Sequence, residues 1–247
     1  MSLSRVRLIP SALALAAVAL LAAGCTTTPA SPAPTSTAGS PSSTAGADAG
    51  AAPVERMADD VEAAWLDDGR MIGLVTWGSS SCRPHVEDVM ADGQSVAVTV
   101  ADEKQQACTE DLAPRAVAVT VPEGVDVTKD VDLLVTYGDL EADTDLDGLD
   151  AAPQGMGEQQ PSAGWFEDDG IVLLTYGSSS CPPIVSDVEM TDAGAAVTFS
   201  ADADRVCTMD FAPRATVITL TGEHDDDDPF TLTLIGDNLD GEVTVLG

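Results

Sequence analysis

The chain has 247 residues, which is enough for one large domain or two small ones. Its 42 acidic and 10 basic residues give a net charge of −32 at pH 7, so it repels DNA and RNA, and we expect no nucleic-acid partner. Aromatic residues make up only 4% of the chain, which predicts small cores built from Val, Leu and Ile.

The N-terminus has the pattern of a bacterial export signal. Arg5 and Arg7 precede an apolar segment over 13–21 that is too short to span a membrane. The sequence Leu-Ala-Ala-Gly-Cys then ends at Cys25, and it resembles the lipobox of bacterial lipoproteins, which usually has Leu where this chain has Ala22. The resemblance implies that residues 1–24 are removed as a signal peptide and that Cys25 receives a diacylglyceryl group carrying acyl chains such as palmitate. Two acyl chains anchor a protein stably, so we expect attachment to the extracytoplasmic face of the cell membrane.

Residues 25–54 consist almost entirely of Thr, Ser, Pro, Ala and Gly. Such a segment cannot bury enough apolar surface to offset its chain entropy, which predicts a disordered tether. The lipobox, the tether and the acidic, Ala- and Val-rich remainder together resemble the cell-surface lipoproteins of high-GC Gram-positive bacteria. This resemblance implies no particular activity, substrate or cofactor.

The remainder of the chain contains the same pattern twice. Residues 78–121 align with 177–220 at a constant offset of 99, with 20 identities in 44 positions. The shared frame reads Gly-Ser-Ser-Ser-Cys and later Cys-Thr-x-Asp-(Leu/Phe)-Ala-Pro-Arg, and residues 131–138 match 230–236 with a one-residue slip. We therefore predict a first β repeat over 55–140, an acidic linker over 141–161 and a second β repeat over 162–247.

Apolar residues alternate with a period of two inside each repeat, which is typical of β-strands. The alternating positions are Val96, Val98 and Val100 in the first copy, and Ala195, Val197 and Phe199 in the second. Helical periodicity is low, with at most a short turn over 54–65. We predict an all-β protein of two similar small antiparallel β-sandwich or barrel-like modules in tandem, each with five or six strands. Whether the modules form one domain or two stays open.

Four cysteines remain besides Cys25, and they occur as two pairs with the same spacing of 26 residues. Export places them in an oxidising compartment, where disulfides persist. Four cysteines allow three pairings, and a duplicated module that closes on itself favours Cys82–Cys108 and Cys181–Cys207. Each bond would stabilise a small module by roughly 3–4 kcal/mol.

The Ser-Ser-Ser-Cys run invites the hypothesis of a nucleophilic serine, which needs a histidine base. His85 aligns with Ile184, so the second copy retains the serines without that histidine. We therefore predict that the serines form a tight turn and that the protein is not an enzyme.

Two arginines, Arg115 and Arg214, recur at one aligned position, four residues after Asp111 and Asp210. One interpretation is a turn closed by an Arg–Asp pair. The other is that the two arginines bind an anionic ligand, because guanidinium groups suit carboxylates.

Asp143, Asp145 and Asp147, followed by Gly148, copy the first half of an EF-hand calcium loop. Position 12 of that loop is Gln154 rather than Glu. An acidic linker and a calcium site are the two alternatives here, and no other cofactor is predicted.

Together these features favour a non-catalytic binding or structural module of the cell envelope, which contacts an envelope protein or polymer. One alternative is an extracytoplasmic enzyme, or an accessory to one, that acts on cell-wall material. Another is a calcium-dependent binding module.

Overall fold

Alternating apolar residues form seven β-strands in each repeat, within the part of the chain that the structure describes. This computed structural model describes residues 60–103, 107–155, 157–202, 204–224 and 228–247. The signal peptide, Cys25 and the tether lie outside the described residues, so lipidation stays a prediction.

The first module contains two sheets, with strand orders β1-β2-β5 and β3-β4-β6-β7. A short 3-10 turn, Asp67–Gly69, joins β1 to β2. The strands are β1 (Val61–Leu66), β2 (Met71–Gly78), β3 (Pro84–Asp92), β4 (Ser95–Asp102), β5 (Ala113–Thr120), β6 (Val131–Tyr137) and β7 (Leu140–Leu146).

The second module repeats this arrangement, but its strands join into one sheet of order β10-β11-β13-β14-β8-β9-β12, because β14 pairs with β8. The strands are β8 (Ser162–Glu167), β9 (Gly170–Gly177), β10 (Val185–Thr191), β11 (Gly194–Phe199), β12 (Ala212–Thr219), β13 (Thr231–Ile235) and β14 (Gly241–Leu246). No helix in the described residues is long and apolar enough to cross a membrane.

The prediction of an all-β fold is confirmed, and three details of it are wrong. Each module has seven strands rather than five or six. The sheets are mixed, since β4 pairs with β6 and β11 pairs with β13 in parallel. Residues 61–66, assigned at most to a helical turn, form β1, which pairs along its whole length with β2.

The predicted linker over 141–161 begins too early, because its first residues belong to β7. The strand pairs with β6 from Val131 opposite Leu146 to Tyr137 opposite Leu140. Glu141, Asp143 and Asp145 point to solvent, whereas the residues between them face the sheet interior or are half-buried. The acidic side chains thus form the exposed face of an ordinary edge strand.

Each module encloses its own core, and the alternating residues face that core as predicted. Val96, Val98 and Val100 are all buried, and so are their counterparts on β11. In the first module they pack against Trp65 of β1 and against β2 and β6. The second core has Trp165 at the same place, in edge-to-face contact with Phe230 at 5.0 Å between ring centroids.

A third core joins the two modules, which therefore form a single unit over Pro53–Gly247. Strand β2 is buried on both faces: Ile72 and Leu74 point into the first core, and the alternate residues point toward β8 and β9. The members of this shared core are Ala64, Leu66, Met71, Val75, Trp77, Phe166, Val172 and Leu174. A Cβ atom at Gly73 would lie 2.8 Å from Val172 Cγ1, so the close approach requires glycine there.

The shared core predicts that the two modules unfold together. Leu174→Ala should lower the free energy of unfolding by about 2–5 kcal/mol, because it leaves a cavity in the shared core, and a single transition should be preserved. Chemical denaturation followed by tryptophan fluorescence measures both quantities. Leu134→Ala is the matched control, since Leu134 is 50% exposed on β6 and its truncation should cost far less. Two separated transitions in the unmodified protein would contradict a shared core.

Candidate ligand-binding site

The two predicted disulfides are present, and each closes a loop inside one module. Cys82 pairs with Cys108 and Cys181 with Cys207, with Cα–Cα distances of 5.5 and 5.6 Å. Each bond ties the turn after the second strand of its module to the loop before the fifth. Both ends of the repeated sequence frame therefore meet at one edge of each module.

The repeated serines serve that junction. In the first module Ser79 Oγ lies 2.8 Å from Thr109 Oγ1, and Thr109 donates a hydrogen bond to the Asp111 carboxylate. The backbone N–H of Ser80 donates to the same carboxylate. In the described residues no hydrogen bond joins these serines to a histidine, and His85 lies 4.0 Å from Glu87 instead. The hydroxyls thus support a turn, as the structural interpretation predicts.

The second module repeats this network at Ser178, Ser179, Thr208 and Asp210. Hydrogen bonds from the serine and the threonine hold the pKa of both carboxyls, Asp111 and Asp210, at about 2. Each carboxylate therefore accepts hydrogen bonds from the serine turn at the other end of the loop that the disulfide closes.

The predicted Arg–Asp turn pair is wrong, because Asp111 is used in that network and Arg115 has other partners. The guanidinium of Arg115 is buried and donates to the Cys82 carbonyl at 3.2 Å and to Asp102 Oδ1 at 3.0 Å. Its other terminal nitrogen donates to the Tyr137 hydroxyl at 2.9 Å, and that hydroxyl donates to the Asp102 carboxylate. Burial and the bond to Asp102 raise the pKa of Tyr137.

Arg214 occupies the same place in the second module, but its hydrogen-bond partners among the described residues are two backbone carbonyls. It donates to the Cys181 carbonyl at 2.8 Å and to the Tyr176 carbonyl at 3.2 Å. No described carboxylate forms an ion pair with it, and burial lowers the pKa of its guanidinium. The two arginines that the sequence treats as equivalent therefore differ: Arg115 is internally neutralised and Arg214 is not.

A cavity of about 450 Å³, which we call the seam cavity, lies where β5 of the first module meets β12 of the second. Glu103 is the one acidic residue in its described lining. Its basic and proline residues include Arg83, His85, Arg115, Arg214, Pro182 and Pro183. The sequence pattern predicts the two repeated arginines as ligand-binding residues but not Arg83 and His85. These two could have been found because they differ between the copies: they align with Pro182 and Ile184, which carry no basic group.

The conformation that a calcium loop requires is not found at Asp143 and Asp145. They lie on the extended strand β7, opposite Leu134 and Asp132, so their side chains follow one another along a strand instead of converging on a point. The carbonyl of Asp147 accepts a hydrogen bond from Trp65 Nε1 at 2.7 Å. Among the described residues, no three Asp, Glu, His or Cys side chains are grouped as metal ligands.

Comparisons with protein-family models, with curated proteins and with solved structures find no match to this chain.

The low pKa of Asp111 predicts a pH-dependent contribution to stability. Its folded-state pKa of about 2 lies below the usual value of 3.8. The ionised carboxyl therefore stabilises the folded state fully above pH 3.8, and this stabilisation is lost as the pH falls from 3.8 toward 2. Asp111→Asn should therefore lower the melting temperature at pH 5, and the difference from the unmodified protein should shrink progressively down to pH 2. The double variant with Asp210→Asn should show a larger difference with the same pH dependence. A difference that is constant over this pH range would contradict the assignment.

Proposed function

We propose that this protein is a lipid-anchored, extracytoplasmic and non-catalytic binding module, which holds a carboxylate-bearing group of an envelope protein or polymer in its seam cavity. One observation carries the proposal. In a chain with 42 acidic and 10 basic residues, Arg83, Arg214 and His85 line one cavity with a single described carboxylate, and a third arginine in its lining, Arg115, is already paired with Asp102. A random surface of this protein would be negative.

The seam cavity offers donors that suit a carboxylate. Arg83 and His85 are exposed at its rim, and Arg83 Nη1 lies 3.4 Å from the Ser180 carbonyl of the other module, which orients the guanidinium across the seam. A guanidinium binds a carboxylate with two parallel hydrogen bonds. The overall charge of the chain repels extended polyanions, so the site favours a short acidic group presented by a larger partner.

The two modules contribute different chemistry to the seam cavity. Each module supplies its repeated arginine, but only the first adds Arg83 and His85, whereas the second has the uncharged Pro182 at the position of Arg83. A cavity whose only function was to join two copies would not need such a difference. The asymmetry therefore supports a role in binding.

The disulfides support the proposed location. All four cysteines of the repeats are consumed within modules, and disulfides of this kind persist in oxidising compartments such as the outer face of a bacterial membrane. Cys25 stands outside the repeated pattern, which leaves it available for the lipid.

Reversing one charge at the seam cavity tests the binding site. The full chain, purified in detergent, should bind a fluorescent peptide that carries a single glutamate at physiological ionic strength, and Arg83→Glu should raise the dissociation constant by about tenfold, or ~1.4 kcal/mol, because it replaces a donor with a like charge. Lys129→Glu makes the same change in net charge at an exposed residue that pairs with Asp126, away from the cavity. Equal losses in the two variants would show a general charge effect and refute the site.

Replacing Cys25 tests the anchor. In a lipoprotein-processing bacterium the unmodified chain should incorporate a clickable palmitate analogue and fractionate with membranes, whereas Cys25→Ser should lose the label. Cys82→Ser is the matched control, because its cysteine forms a disulfide and its loss should leave the label in place. Labelling of Cys25→Ser at the unmodified level would contradict the anchor.

A further inference from the structure

The space beside the repeated arginine is built differently in the two modules. In the first, Asp102 and Tyr137 stand against the Arg115 guanidinium and bond to each other. The carboxylate neutralises the charge, and the phenol accepts a hydrogen bond from the second terminal nitrogen. Arg115 is thus provided with an internal anion.

Both of these partners are absent from the second module. Asp102 aligns with Ala201 at the offset of 99 residues. Strand pairing extends the same offset to Tyr137, since Ser95 lies opposite Asp132 and Gly194 lies opposite Thr231. Tyr137 therefore corresponds to Gly236, and the one-residue slip of the sequence alignment is wrong for these strands.

Arg214 lies beside a cavity of about 280 Å³, which we call the module-2 pocket, and neither an aspartate nor a tyrosine stands at the two aligned positions there. The pocket is distinct from the seam cavity, although Arg214 lines both. Its polar lining consists of Tyr176, Ser178, Ser200, Arg205, Asn238 and two carboxylates, Asp202 and Asp237. The first module has a cavity at the same place, with Asp102 and Tyr137 in its wall.

The charges in the module-2 pocket leave Arg214 short of a direct partner. Asp202 Oδ1 accepts a hydrogen bond from the backbone N–H of Asp204 at 3.0 Å, so that carboxylate serves a turn. Asp237 lies close enough to raise the pKa of Arg214 but forms no ion pair with it, and burial outweighs this effect. A half-buried guanidinium without a bonded anion is costly, and binding a carboxylate removes that cost.

We propose that the module-2 pocket binds a small organic carboxylate, whose charged group takes the place that Asp102 fills in the first module. A second oxygen on the ligand would take the position of the Tyr137 hydroxyl. The rest of the pocket accepts a molecule of a few carbon atoms. Asp237 acts as an internal competitor that weakens this site, because its charge repels the incoming carboxylate.

Acetate is the probe for this proposal, with chloride at equal ionic strength as the reference. The melting temperature of the full chain in detergent, followed by tryptophan fluorescence at neutral pH, should rise with acetate and not with chloride, because a ligand that binds the folded state stabilises it. Ala201→Asp supplies the internal carboxylate, so it should raise the melting temperature in chloride and abolish the response to acetate. Ala91→Asp, on the exposed face of β3, adds the same charge elsewhere and should leave the response intact.

Asp237→Asn provides a second test that does not depend on filling the pocket. Asp237 has a φ of 50°, a conformation that asparagine tolerates, so the variant should fold. It should lower the acetate concentration at half-maximal response by about threefold or more, because it removes the competing charge. The proposal is overturned if acetate acts no differently from chloride in both the unmodified protein and Asp237→Asn. It is also overturned if Ala201→Asp folds and responds to acetate as the unmodified protein does.

Discussion

The fold of each module depends on one guanidinium that lies against a glycine and donates to the carbonyl of a half-cystine. In the second module a Cβ atom at Gly177 would lie 2.8 Å from Arg214 Cζ, so a larger residue there would displace the guanidinium from its present position. Arg214 then bonds to the carbonyl of Cys181, whose disulfide ties down the loop that leads to β12. Glycine, cysteine and arginine are therefore repeated together because each fixes the position of the others.

The same contact explains the structural role of the Ser-Ser-Ser sequence. The Cys82 carbonyl that accepts from Arg115 lies at the end of a tight turn. The N–H of Cys82 closes this turn by donating to the Ser79 carbonyl at 3.2 Å. Short hydroxyl side chains satisfy the backbone groups of such a turn. Asp111 accepts from the turn and so joins it to the second half of the frame. The hydrogen bonds of the serines are thus used within the turn and with the loop that carries Thr109 and Asp111.

The sequence predicts a strand of this structure well when one face of the strand packs on a core and the other face is exposed and not strongly charged. The valine alternation on β4 faces one core, so periodicity and strand agree, and the cysteine pairing follows from a module that must close on itself. Strand β7 was missed because its exposed face is acidic and its inner residues, Ala142 and Thr144, are small, so its period of two resembles a polar linker. The shared core was missed as well, although the unbroken apolar run of β2 is typical of a strand buried on both faces.

Duplication also determines where function is to be sought in this chain. Residues that occur in both copies, such as the serines and the disulfides, are sufficiently explained by the needs of a fold that is built twice. The charged cavities instead depend on positions at which the copies differ, because Arg83 lies opposite a proline in the alignment and Asp102 opposite an alanine. Arg115 has an internal carboxylate beside it, and in our proposal the carboxylate of a ligand has the same electrostatic role beside its copy, Arg214. The repeated positions therefore account for the scaffold, and the differing positions beside them distinguish the two binding sites that we propose.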